Sequence, residues 1–199
     1  MCITRKGLRV ITSTYHAPMG DIELVADERG LTGLWFTGAR PSGITDAFLQ
    51  ADAVEPFAVI ESASVEHIEG ADAESGSPGM SFEEQCNAAA IGVIERTWGW
   101  LNSYFAGQTP LWLPPLHFEG DELQHEVWAA VLAVPYGEAV TCAEIAARIS
   151  ERGLSADAAR VAATLASSPI SLIVPVHRVS DNSGCVHGVA LRDWERQSF

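Results

Sequence analysis

Two adjacent prolines, Pro114 and Pro115, divide a chain whose apolar residues follow two different periods. Consecutive prolines cannot continue a helix and favour an extended connection, so they mark a break between elements. Ahead of them, Ile22-Glu23-Leu24-Val25-Ala26 and Leu31-Thr32-Gly33-Leu34-Trp35-Phe36 read as strands. Behind them, Leu123, Val127 and Val131 recur at four-residue spacing, as on one face of a helix. The expected fold is α/β with two domains: a small β-rich one over residues 1–112 and a mostly helical one over 117–199, with a boundary near 110–118. With 199 residues and 47% hydrophobic content, the chain is long enough for one large core or two small ones.

In the first half, Val10-Ile11-Thr12 opens a strand, Pro18-Met19-Gly20-Asp21 turns it, and Asp27-Glu28-Arg29-Gly30 turns the chain again. The product is an antiparallel meander with a buried face. Residues 41–80 then weaken into an acidic, small-residue run, Glu69 to Gly79, that reads as a flexible insert. Ser81 with Glu84 three residues on forms a capping-box pattern for a helix through Ile91, Ile94 and Trp98 to Tyr104-Phe105, ended by Gly107.

In the second half, Trp128 and Leu132 join the apolar face of the first helix, which Val134-Pro135-Tyr136-Gly137 stops. Thr141-Cys142-Ala143-Glu144 is a capping-box pattern that opens a short helix to about Ile149, and a turn through Gly153 leads to a second start at Ser155. Two short helices across a glycine turn resemble a helix-turn-helix. The second, Asp157 to Ala166, carries small residues and one central arginine, Arg160. Small side chains allow close approach to a groove, and they also simply favour helix. Next, Ile170-Ser171-Leu172-Ile173-Val174 reads as a β-branched strand delivering Pro175-Val176-His177-Arg178. A strand, a proline and a side chain held beside a histidine is how a fold presents a nucleophile to a base, yet valine has no lone pair and no acidic proton.

A formal charge of −14 excludes a protein whose whole surface binds polyanions. Lys6 is the only lysine, and residues 117–199 set six arginines against eleven carboxylates, so any DNA site is a local exception. Cys2, Cys86, Cys142 and Cys185 show neither zinc-ligand nor disulfide spacing, so reduced thiols, no metal and no cofactor are expected. No segment has the apolar length of a signal or a membrane span. A cytoplasmic location with no membrane partner is the expectation, and nothing fixes an oligomeric state.

Gln124, Val127-Trp128, Leu132, Pro135-Tyr136-Gly137-Glu138, Ile145-Ala146, Pro169, Ile173-Val174-Pro175, His177-Arg178-Val179 and Gly188-Val189 stand in an order that resembles the O6-alkylguanine-DNA alkyltransferase (methylated-DNA–protein-cysteine methyltransferase) family. Leu101 to Gly107 resembles the segment that closes the family's N-terminal domain, and Pro18-Met19-Gly20 with Gly30 to Gly33 resembles its opening hairpins. The resemblance implies a ribonuclease-H-like N-terminal domain, a winged-helix-like C-terminal domain and a part in DNA repair. In that family a cysteine thiolate between the proline and the histidine takes an alkyl group irreversibly from a flipped-out guanine, the histidine receiving its proton through water. Here Val176 occupies the cysteine position.

Other positions depart as well. Cys142 and Cys185 stand where the family has tyrosines, Ser168 where it has the asparagine that fastens the active-site turn, and Arg192 where it has lysine. The carboxylate that orients the histidine falls at about Phe199 and is therefore missing. For the arginine that replaces the flipped base in the stack, an ungapped alignment selects Ala159, with Arg160 one residue on and about 100° around the helix; Thr141 opens the preceding helix toward the same DNA face. Val176 then reads as filler of near-cysteine size in a remodelled pocket with Cys142, Ser168 and Cys185. His177 reads as a structural histidine, and Arg178 as a fastener of the turn.

Three functions follow from these residues. One is a non-catalytic binder of double-stranded DNA carrying alkylated guanine, with another repair protein as its partner. The second is a protein-interaction or small-ligand module that no longer engages DNA. The third is alkyl transfer to a relocated nucleophile, Cys142 or Cys185.

Overall fold

A computed structural model describes residues 10–41, 82–117, 119–180 and 188–199. The insert beyond Pro41, the Ser81 cap and Gly184-Cys185 lie outside the described residues. Three strands, β1 (Ile11–Ala17), β2 (Gly20–Ala26) and β3 (Leu31–Phe36), form an antiparallel sheet in sequence order. The turn between β1 and β2 uses Gly20 at φ 125°, a conformation side chains resist. This is the expected meander, with one difference: every residue of β3 is buried, on both faces. Leu34 and Phe36 join the main core, whereas Trp35 packs with Val10 and Val25 on the other side.

The outer edge of β3 is closed by the second half of the chain. Leu31 donates to the Pro115 carbonyl at 2.8 Å and accepts from the His117 amide at 2.9 Å. Further along, Leu34 donates to the Pro169 carbonyl and accepts from the Ser171 amide, at 2.9 and 2.7 Å. The diproline segment is therefore seated on the sheet, and an edge that would otherwise invite intermolecular pairing is covered. Gly30 permits this approach, since a Cβ there would stand 2.8 Å from the Pro115 oxygen. His117 completes the seam, its Nδ1 lying 2.6 Å from Asp27 Oδ2.

Helix α1 (Phe82–Phe105) lies against the sheet. Ala90, Val93, Ile94, Thr97, Trp100, Leu101 and Tyr104 form its buried stripe at helical spacing. In the second half, α2 (Glu122–Leu132) is capped by Asp121 with Gln124, and α3 (Cys142–Glu151) by Thr141 with Glu144. Helix α4 (Ala158–Ala166) starts from an Asp157 cap, two residues later than the start expected at Ser155. Gly153, at φ 93°, makes the turn between α3 and α4, and these two helices pack on each other and on α2 as a helix-turn-helix does. A single turn of 3₁₀ helix (Val176–Arg178) and α5 (Gly188–Ser198) complete the described chain. One contiguous apolar cluster runs from Leu24 and Leu34 of the sheet through Val127, Ile145 and Val161 to Val174 and Val176.

The stretch expected to be a strand, Ile170–Val174, is not one. Ile170 makes a single bridge to Leu34, after which the chain bends through Leu172 at φ 71°. Its β-branched composition reflects burial, with Ile170, Leu172, Ile173 and Val174 all in the core. The left-handed Leu172 is a strained conformation, held immediately ahead of the turn that carries Val176 and His177.

Candidate functional site

Bends at both ends of the 171–176 segment are closed by short-range bonds, Ile173 N to Ser171 O and Val176 N to Val174 O, at 2.8 and 2.7 Å. The 3₁₀ turn is then tied to the entry of α3, because Val140 donates to the Arg178 carbonyl and accepts from Ser180. This frame holds Val176 and His177 in the wall of a cavity of about 260 Å³. Leu165, Ser168, Leu172 and Leu191 line it from the second half, and Trp35, Phe36 and Arg40 from the first. The contribution of β3 and its following loop was not expected from the sequence. It follows from the pairing of Leu34 with residues 169–171, which brings the end of β3 over the turn.

Behind the cavity lies a buried polar cluster centred on Glu195. Its Oε1 lies 2.9 Å from His177 Nε2 and accepts from Tyr104 Oη at 2.9 Å and Arg178 Nη2 at 2.7 Å. Its Oε2 accepts from Arg178 Nε at 2.9 Å. Arg178 also donates through Nη1 to the Val134 carbonyl at 2.6 Å and stacks 4.1 Å from the centre of the Tyr136 ring. Arg192 Nη1 caps the His177 carbonyl at 2.6 Å. Four chain segments are joined here: α1, the end of α2, the 3₁₀ turn and α5.

The missing carboxylate is the expectation that this geometry overturns. Glu195 precedes Phe199 by four residues, and four residues along a helix return to nearly the same face. Counting along the motif pointed to Phe199, while the helical face supplies an acid one turn earlier. Phe199 instead packs its ring against Tyr136, tilted by 35° with centroids 4.5 Å apart. Arg178 does fasten the turn, as its fixed fork of donors suggests, and His177 is fully buried and hydrogen-bonded.

Burial opposes charge on Glu195, but the hydrogen bonds and charge around it outweigh that and hold its pKa at about 2. Burial lowers the pKa of His177, which therefore stays neutral, with its Nε2–H directed to the carboxylate. Burial pushes the Tyr104 hydroxyl well above its ordinary value. Both acid-side groups bind protons more tightly when unfolded, so stability is full above pH 6.5. It declines as the unfolded His177 charges, and declines again between 4.5 and about 2 as Glu195 is forced to protonate. The Glu195 shift alone corresponds to about 3 kcal/mol. Above pH 10 the unfolded state releases the Tyr104 proton first, and stability declines there too. Urea midpoints measured across pH should trace this asymmetric bell, and a flat acid limb would contradict it.

The remaining predicted residues divide into those at the cavity and those away from it. Ser168 is buried, lines the cavity and donates to the Ile170 carbonyl at 3.3 Å, bracing the segment that leads to the turn. Cys142, expected in the pocket, is the first residue of α3, buried in the core and not among the cavity's lining residues. A side chain opening a helix beside a half-exposed cap points into the packing between helices here. Cys185 lies outside the described residues. Thr141 caps α3, accepting from the Glu144 amide. Ala159 and Arg160 are both exposed on α4, and Arg160 Nη1 lies 3.5 Å from the Ser155 carbonyl.

A β-meander backed by a long helix, joined to a helical half that holds a helix-turn-helix and, on the turn and helix after it, a buried histidine–carboxylate–arginine cluster, defines the class. The model of the 6-O-methylguanine DNA methyltransferase DNA-binding domain matches residues 122–198. A methylated-DNA–protein-cysteine methyltransferase of Mycobacterium tuberculosis is 40% identical over 88 residues, 44% of this chain and 52% of the relative. The Mycobacterium leprae protein of that name is 43% identical over 90 residues, again 44% and 52%. A protein of Acanthamoeba polyphaga mimivirus named "Probable methylated-DNA--protein-cysteine methyltransferase" is 30% identical over 112 residues, 54% of this chain and 73% of that one. The chain belongs to the methylated-DNA–protein-cysteine methyltransferase family.

It spans about half the length of the mycobacterial relatives it matches. Among solved structures, the M. tuberculosis O6-methylguanine methyltransferase has a TM-score of 0.60 at 24% identity, covering 95% of this chain and 92% of that one. The M. tuberculosis protein in complex with DNA has a TM-score of 0.63 at 23% identity, covering 94% of each. At such identities the likeness establishes the fold. No helix among the described residues is long and apolar enough to cross a membrane, and no group of metal-binding side chains occurs among them.

Proposed function

We propose that the protein binds duplex DNA containing O6-alkylguanine without accepting the alkyl group, and holds the lesion for another repair protein. The observation that carries this reading is Val176, set between Pro175 and His177 in the cavity wall while His177, Glu195 and Arg178 form a complete cluster behind it. An apolar side chain of near-cysteine size keeps the packing and removes the nucleophile. The supporting residues stay in place, so the site has lost its reactive atom and kept its frame. The 1–112 and 117–199 division serves this reading as a β-domain wall placed over a DNA-binding domain.

Transfer to Cys142 is disfavoured by its burial outside the cavity. A module that has given up DNA is favoured by one observation, the net charge of −14, with Arg160 set beside the acidic Asp157 cap on α4.

A fluorescence titration with duplexes containing O6-methylguanine or guanine separates the two readings. Lesion binding about tenfold tighter than plain binding, weakening with salt, is the expected result. The intact mass of the protein should be unchanged afterwards. Equal or undetectable binding at low salt selects the module, and an alkyl adduct on Cys142 or Cys185 selects the relocated nucleophile.

A further inference from the structure

We propose that the outward face of α1, together with the exposed apolar ridge Leu111-Trp112-Leu113, is the interface through which two copies of this chain form a two-fold dimer. The inference stands apart from the lesion-binding reading, because none of these residues lines the cavity.

Just ahead of the two prolines, Leu111 is 95% exposed, Leu113 53% and Trp112 44%. Ile91 of α1 is 40% exposed as well. Consecutive large apolar side chains left in water are unfavourable, and such exposure on a folded protein marks a contact surface. Trp112 is nevertheless seated on α1, since a Cβ on Gly99 would lie 3.7 Å from its ring. Gly92, about two turns earlier on the same face of the helix, looks into open space: a Cβ there would meet nothing within 4 Å. Glycine inside a helix is less favourable than alanine, and nothing among the described residues requires it at this position. A second helix approaching closely from outside would require it.

Glu95 and Arg96 are both exposed and flank the line from Gly92 to Gly99, one on each side. When two copies of α1 lie side by side and parallel, a two-fold axis along them carries Arg96 of one copy beside Glu95 of the other, and the reciprocal pair forms with it. Gly92 then meets its own copy where the backbones come closest, and the two Trp112 rings cover each other beside Gly99. A uniformly basic or uniformly acidic partner would oppose one of the two flanking charges, whereas a second copy satisfies both. The formal charge of −14 on each chain repels at longer range, and salt screens that repulsion, so raising salt should tighten the dimer.

Sedimentation equilibrium of the full chain in about 0.1 and 0.5 M sodium chloride should show a monomer–dimer equilibrium that shifts toward dimer at the higher salt. Gly92→Leu fills the open space and should weaken dimerisation by about tenfold or more. Its monomer should melt no lower than native, leucine being the better helix former. Glu95→Arg alone should weaken the dimer severalfold, and adding Arg96→Glu to it should restore the native constant, because exchanging the two charges recreates both pairs. A chain that stays monomeric at high concentration in both salts overturns the proposal and leaves the ridge to a different protein. A dimer indifferent to Gly92→Leu and to the charge exchange overturns it too, because that dimer forms through another surface.

Discussion

Val176→Cys should turn the protein into a stoichiometric alkyl acceptor, gaining one alkyl group per chain on incubation with an O6-methylguanine duplex. The substitution is close to volume-conserving, so it should lower stability by less than about 1.5 kcal/mol. The new thiol would stand next to His177, whose Nδ1 has no hydrogen-bond partner among the described residues and whose opposite nitrogen is fixed on Glu195. Proton transfer to that nitrogen, directly or through one water, leaves a thiolate. Sulfur then bonds to the alkyl carbon as the carbon–oxygen bond breaks, and the departing guanine takes up a proton. Native protein has none of this chemistry at residue 176, so the change is from no adduct to a full one, read by intact mass and by a tryptic map. Val176→Ser is the control and should stay unmodified, a hydroxyl being a far weaker nucleophile at neutral pH. A folded Val176→Cys that binds the lesion and gains no mass would place the loss elsewhere, with Ser168, which lines the cavity, as the first position to restore. The intact Glu195 cluster is the reason to expect gain: the sequence suggests a site stripped of its supports, and the structure retains them.

What could be read from the chain is what is local. The capping boxes at Thr141 and the α2 face through Leu123, Val127 and Val131 depend on neighbours within a turn, and both occur as expected. The three strands are bounded by glycine-containing turns and also follow from local signals. The features that escaped are long-range or depend on a face. Trp35, Phe36 and Arg40 reach the cavity because β3 pairs with residues more than a hundred positions later, which no window along the chain reports. The Ile170–Val174 run resembles a strand because β-branched residues mark burial as much as extension. Glu195 does not stand out in the sequence because a motif counts residues, whereas a helix presents the same face again after one turn. The usable signal was the acid at Glu195 on the face of Phe199.

Glu195→Gln should be the most destabilising single change at the site, because it removes one charge from a cluster with almost no access to water. The carboxylate satisfies Tyr104, His177 and two nitrogens of Arg178, and with the amide in its place the Arg178 guanidinium is left as a buried charge lacking its counter-ion. Breaking a buried pair in this way is unfavourable by about 3–5 kcal/mol. For a chain of this size that lowers Tm by roughly 6–20 °C. Tyr104→Phe deletes one hydrogen bond to a charged group and should lower stability by about 1.5–3 kcal/mol. Asp193→Asn, exposed on the same helix, should stay within about 0.5 kcal/mol of native. The acid limb of the pH–stability profile should flatten in Glu195→Gln, since the group whose pKa is held at about 2 is gone. If the helical face is what qualifies Glu195 for its role, Phe199→Glu placed in Glu195→Ala should recover part of the lost Tm by returning a carboxylate one turn later. Phe199→Glu in the native background should only lose the ring contacts with Tyr104, Tyr136 and Trp194. A Glu195→Gln protein melting within about 2 °C of native would mean that the cluster is not holding the halves of the chain together. Lack of recovery in the double variant, with Glu195→Ala still folded, would instead show that the acid acts only from the position where it now stands.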